Sequence, residues 1–145
     1  MRIANSVLFV SLATLFAFQL AHPASAEMLS YKADLKGASE VPPNETKGTG
    51  SLDATFDTAS KKLSWTVTYS GLTGDAIAGH FHGPAAPTAN APVTVPFSGS
   101  LVSPIKGEAT LTDAQAADLE ANRLYVNIHT NEHKGGELRG QVMKK

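Results

Sequence analysis

The sequence predicts an all-β fold: a Greek-key β-sandwich or barrel of about eight antiparallel strands, with one short helix. Three observations predict it. Apolar and polar residues alternate with period two through most of the chain after residue 27, the pattern of half-buried strands. Gly-, Pro- and Asn-containing stretches punctuate that alternation at short intervals. A single capping signature marks one helix.

The clearest strands come early. In Ser51–Asp57 the apolar set is Leu52, Ala54 and Phe56, and in Lys62–Ser70 it is Leu63, Trp65, Val67 and Tyr69. Asp57-Thr58-Ala59-Ser60-Lys61 reads as a short hairpin connection, so these two strands are expected to be antiparallel neighbours. Further strands are expected at Met28–Leu35, Ile77–His82, Val93–Phe97, Ile105–Leu111, Leu124–His129 and Glu137–Met143. Thr112-Asp113-Ala114-Gln115 is a capping box, with Thr112 as N-cap and Gln115 at N3. Ala116 and Leu119 would dock the helix on one end of the barrel, and Asn122 can end it. Gly83–Pro92 contains Pro84, Pro87 and Pro92, each lacking an N–H, and is expected to be an ordered loop rather than a strand.

The N-terminus reads as a cleavable signal peptide over residues 1–26. Arg2 supplies the charge, Val7–Leu20 an apolar run, and Ala24-Ser25-Ala26 the small residues of a cleavage site. The run is about 14 residues long and a spanning helix needs roughly 20, so cleavage is expected rather than a membrane anchor. No second such run follows. Cleavage would leave Glu27–Lys145 as one domain of about 120 residues, periplasmic or secreted. That size buries a core without a staple, and the sequence has no cysteine. Thiolate sites are therefore excluded: no blue-copper centre, no cysteine zinc site and no cysteine nucleophile. The formal net charge is −1, without a basic cluster carrying interleaved aromatics, so nucleic acid is not an expected partner. No nucleophile elbow or phosphate-cradling loop is present, and no residue is assigned a catalytic role.

The residues that point to chemistry are histidines. His80-Phe81-His82 lies on an expected strand, where alternation puts both imidazoles on one face about 7 Å apart along the chain. His129 ends the strand Leu124–His129, and His133 falls in the loop before Gly135-Gly136. His80, His82, His129 and His133 are thus a candidate metal site at strand ends, beside glycine-rich loops. An all-nitrogen site without thiolate suits copper, or else zinc. The competing reading leaves the histidines as ordinary surface or hydrogen-bonded groups. Tyr125 and Asn127 share the face of His129, either lining the site behind the ligands or forming only wall. Glu137, Arg139 and Gln141 share a face of the last strand. The Arg139 guanidinium is expected either to guide a small anion towards a metal or to pair with Glu137 or Glu132 and pin that strand. Glu40-Val41-Pro42-Pro43 reads as a loop lock, with Glu40 free to accept hydrogen bonds from nearby backbone.

Several of these stretches resemble the chordin (CHRD) domain family. The resemblance rests on Glu40-Val41-Pro42-Pro43, Gly48 and Gly50, Tyr69-Ser70-Gly71-Leu72, His80-Phe81-His82-Gly83-Pro84, Leu124-Tyr125-Val126-Asn127-Ile128-His129-Thr130 and Gly136-Glu137-Leu138-Arg139-Gly140-Gln141, in that order. It implies an exported domain, and from the animal members an extracellular protein-interaction module with a protein partner. A looser similarity runs to the copper–zinc superoxide dismutases, Greek-key barrels with an H-x-H copper pair, a later strand-end histidine and a late arginine. It implies copper ligation by His80, His82 and His129, with Arg139 nearby, and a dismutase-type enzyme as a further alternative. The sequence lacks that family's disulfide and its zinc-binding loop.

Overall fold

The computed structural model describes residues 26–145. The signal-peptide reading therefore lies, apart from Ala26, outside the described residues. The described chain folds as β1 (Met28–Lys36), a 3-10 turn (Gly37–Ser39), β2 (Thr49–Asp57), β3 (Lys62–Ser70), β4 (Ala76–His82), β5 (Val93–Pro96), β6 (Ile105–Thr110), α1 (Asp113–Glu120), β7 (Tyr125–Thr130), β8 (Leu138–Gln141) and β9 (Met143–Lys144). All pairings are antiparallel, and the sheet runs β5-β4-β7-β8-β1-β2-β3-β6, with β9 also on β1. The all-β expectation holds: one sheet curls into a nearly closed barrel, and its path ends at β5 and β6.

Hairpin β2–β3 forms as the alternation requires, with Leu52 opposite Val67 and Phe56 opposite Leu63. The connection is tightened by Asp57, whose carboxylate accepts from Ala59 N (2.9 Å) and Ser60 Oγ (2.8 Å). Tyr31, Leu63, Val67, Phe81, Leu119, Leu124, Val126, Ile128 and Leu138 are all 0% exposed. Each such aliphatic or aromatic side chain contributes roughly 1.5–3 kcal/mol through burial. Trp65 meets Phe81 edge-on at 5.1 Å and stacks on Phe97 at 5.2 Å, joining β3 to β4 and the segment after β5 through the core.

Helix α1 is capped as the sequence predicts. Gln115 N donates to Thr112 Oγ1 (3.2 Å), and Thr112 N donates to Gln115 Oε1 (2.9 Å). Asn122, just beyond the C-cap, has φ +56°, a left-handed conformation that asparagine tolerates. Ala116 and Leu119 are the buried face, and Gln115 Nε2 reaches Thr94 O (3.1 Å), tying the helix to β5 near the open ends of the sheet.

Two details depart from the expected elements. The last strand is split at Val142 into β8 and β9, although both halves keep one register against β1, Lys36 with Arg139 and Lys32 with Met143. Gly140 comes so close to the Asp34 carbonyl that a side chain there would collide with it. The second departure positions the functional site. Strand β7 is buried along its whole length, on both faces, instead of showing half of it to solvent. Loops 37–48, 83–92 and 131–137 fold over the outer face of β4, β7 and β8 and cover it.

Candidate metal centre

Register decides which polar side chains meet beneath these loops. Strand β7 lies between β4 and β8, with His80 opposite Asn127, His82 opposite Tyr125 and Ala78 opposite His129. On its other side Asn127 faces Arg139 and Tyr125 faces Gln141. The H-x-H pair projects outward while Phe81 enters the core, and His129 arrives from the neighbouring strand.

His80, His82 and His129 each bring a ring nitrogen into a group whose members lie within 4.8 Å of one another. The ring centroids are 5.3 Å apart for His80–His82, 4.9 Å for His80–His129 and 6.3 Å for His82–His129. His82 and His129 are buried, and His80 is half-buried. His133 stands outside this group. It occupies the turn after β7, where its N–H donates to Thr130 Oγ1 (3.2 Å) and its carbonyl accepts from Gly136 N (3.0 Å).

Hydrogen bonds assign the protons. His82 Nδ1 faces the Ala91 carbonyl at 2.9 Å, and His129 Nδ1 faces the Lys134 carbonyl at 2.9 Å. A carbonyl only accepts, so both Nδ1 atoms carry hydrogen and both Nε2 atoms keep a lone pair. His129 Nε2 then accepts from His80 Nδ1 at 3.1 Å. His82 Nε2 is buried with no hydrogen-bond partner. An unpartnered buried acceptor costs on the order of 1–3 kcal/mol, and a cation would satisfy it.

Burial lowers the His80 pKa to about 4, helped by the neighbouring His129 and His82. The His129 value is lowered too, by burial and then by His82, against the opposing pull of the Lys134 carbonyl. A divalent metal requires imidazole lone pairs, which the Nε2 atoms of His82 and His129 supply and which His80 would supply once its Nδ1 proton shifts. The residues present fit such an ion.

The surrounding polar groups bind the covering loops. Glu137 is 0% exposed and accepts from Thr46 Oγ1 (2.6 Å), Thr73 N (2.8 Å), Thr73 Oγ1 (2.8 Å) and Thr130 Oγ1 (2.6 Å). Burial alone would raise its pKa, but the bonds from Thr130, Thr46 and Thr73 hold it below the usual carboxylate value. Asn44 Nδ2 donates to the Gly136 and Glu137 carbonyls (3.3 and 3.1 Å). Glu40, 6% exposed, has a pKa raised to about 7 by burial, against the lowering effects of Asn127, Arg139 and the Val41 backbone. Its carboxylate packs on Gly136, whose φ of +130° and lack of a side chain make the room.

Arg139 differs from both expectations for it. It joins none of the ion pairs among the described residues, neither with Glu137 nor with Glu132. At 1% exposed it has no open face from which to draw in an anion. Its Nη1 donates to Asn90 Oδ1 (3.0 Å), its Nη2 donates to Ala89 O (2.6 Å), and its guanidinium lies 3.5 Å from the centroid of Tyr125. The other neighbour of Tyr125 is His82, stacked parallel at 4.8 Å. Sequence reasoning missed Asn44, Asn90, Thr46, Thr73 and the Ala91 and Lys134 carbonyls. Backbone acceptors leave no trace in residue identity, and isolated Asn or Thr residues in loops look like turn formers.

The CHRD domain family model matches residues 31–142. The chain belongs to the CHRD domain family. The matched span of this CHRD domain runs from within β1 to just past β8 and holds all three clustered histidines, Glu40 and Arg139. No curated protein and no solved structure matches the chain. No helix among the described residues is long and apolar enough to cross a membrane.

Proposed function

We propose that this CHRD domain is an exported metal-binding protein whose three-histidine centre takes copper, or more weakly zinc, in periplasmic or extracellular metal handling or redox chemistry. The observation that carries the reading is the convergence of His80, His82 and His129 within 4.8 Å, with His82 Nε2 buried and unpartnered. Three neutral nitrogen donors without thiolate favour Cu(II) over harder cations. Copper held there would supply a redox-active Lewis acid; the protein supplies the orienting carbonyls of Ala91 and Lys134 and a largely buried setting. The signal-peptide pattern of residues 1–26 supports export.

Copper titration of chelator-treated protein, followed by electron paramagnetic resonance, tests this. A Cu(II) signal with nitrogen coupling is expected in the wild type and in His133→Ala, and its loss or alteration in His80→Ala, His82→Ala and His129→Ala. A wild-type spectrum without nitrogen coupling, or one unchanged by the three variants, overturns the proposal. The competing reading is a metal-free protein-interaction module. It draws on the exposure of Ala86–Asn90, and envelope-protein capture that depends on this loop but not on the histidines would favour it.

A further inference from the structure

We infer that Arg139 is a positioning residue for the metal centre, acting on His82 through the strap Ala89-Asn90-Ala91. The inference rests on the metal-binding reading for its consequence, but its physical core concerns the protein alone.

Strand β7 stands between β4 and β8, so His82 and Arg139 lie on opposite sides of the Tyr125 ring. Arg139 therefore works at a distance from the cluster. Its two terminal nitrogens grip consecutive residues, Ala89 by the carbonyl and Asn90 by the side chain. Asn90 Nδ2 continues the grip to the Val41 carbonyl (2.9 Å), anchoring the strap to the loop that carries Glu40. The next residue is Ala91, whose carbonyl holds the His82 Nδ1 proton. Tyr125, whose ring the same guanidinium covers, also meets Ala91 through its hydroxyl, which accepts from Ala91 N (3.2 Å) and lies 3.4 Å from the Ala91 carbonyl as a donor.

This arrangement explains a buried guanidinium without a salt-bridge partner. Removing an arginine from water costs several kcal/mol, which two hydrogen bonds and an aromatic face only partly offset. A planar fork can hold two acceptors at fixed spacing, and a lysine ammonium cannot reproduce that geometry. What the grip fixes is the place of the Ala91 carbonyl, hence the His82 tautomer, hence which nitrogen faces the metal. His129 is oriented independently, by Lys134 on another loop, and supplies an internal control.

The test uses metal-free, nitrogen-15-labelled protein and long-range proton–nitrogen correlation of the imidazoles, followed by Cu(II) titration. In the wild type both His82 and His129 are expected as the Nδ1–H tautomer. In Arg139→Lys and Asn90→Ala, His82 should become a tautomer mixture while His129 keeps its state. Copper affinity should fall about 10–100-fold, the usual effect of losing a group that orients a ligand. Asn90 is exposed, so Asn90→Ala carries the test if Arg139→Lys fails to fold. An unchanged His82 tautomer in a folded variant overturns the inference, as does a parallel change at His129, which would mean general loosening. If His82 responds alone but the wild type binds no copper, the metal reading falls and the positioning of His82 by Arg139 stands.

Discussion

Replacing Glu40 by glutamine should make the metal-free protein more stable above neutral pH. The carboxyl is 6% exposed, and burial moves its pKa from 4.5 to about 7. A carboxyl whose pKa is raised on folding contributes most below its unfolded value, and that contribution is lost as pH climbs through the folded one. Between pH 5 and pH 8 the loss is about 2–3 kcal/mol, since one pKa unit is worth about 1.4 kcal/mol. The histidines act with the opposite sign. His80, lowered from 6.5 to about 4, adds stability that is complete above pH 6.5 and is lost as pH falls towards 4. The wild-type profile is therefore a sum of opposing slopes, and only the difference between variant and wild type isolates Glu40. Glutamine keeps the shape and an oxygen for Asn127 Nδ2. Urea unfolding of both proteins in chelator should give curves that converge near pH 5 and separate by about 2–3 kcal/mol at pH 8, with the variant higher. Parallel curves across that range would show that the Glu40 carboxyl is not isolated from water as described, and would refute the reasoning.

Other outcomes follow from the same geometry. Saturating copper at about a hundred times its dissociation constant should raise stability by about 2.7 kcal/mol, and chelator should reverse the gain, read as a shift in thermal midpoint. Glu137→Gln puts an amide donor where threonine hydroxyls and the Thr73 N–H already donate. It should cost about 3–5 kcal/mol in urea unfolding at pH 7. Because the Glu137 pKa is lowered on folding, its contribution is present above pH 4.5 and lost as pH falls through the lower folded value. That acid limb should flatten in the variant. Thr112→Ala removes one half of the capping box of α1 and should cost about 1 kcal/mol, leaving the copper spectrum unchanged.

The parts of this fold legible in the sequence were those governed by local periodicity. Leu52, Ala54 and Phe56 against Leu63, Trp65 and Val67 left no choice of face, and Thr112 with Gln115 announced α1. His80 and His82 were readable as a same-face pair for the same reason. Their meeting with His129 depends on β7 lying beside β4, a long-range pairing that alternation does not encode. Strand β7 reads as half-exposed because Tyr125, Asn127 and His129 on one face are polar or amphipathic. Only the three loops folded across them make that face interior. Glu40 read as a loop residue for the same reason, and the register of loop against strand buries it. Alternation puts Arg139 on one face with Glu137 and Gln141, but its acceptors are a backbone carbonyl and a loop asparagine, which no pattern singles out.

The hydrogen bond between His80 and His129 has a consequence for how such a centre would fill. It lets the two rings satisfy each other within the protein. A cation entering there would have to displace that bond and move a proton on His80, and it would give the lone acceptor of His82 a partner.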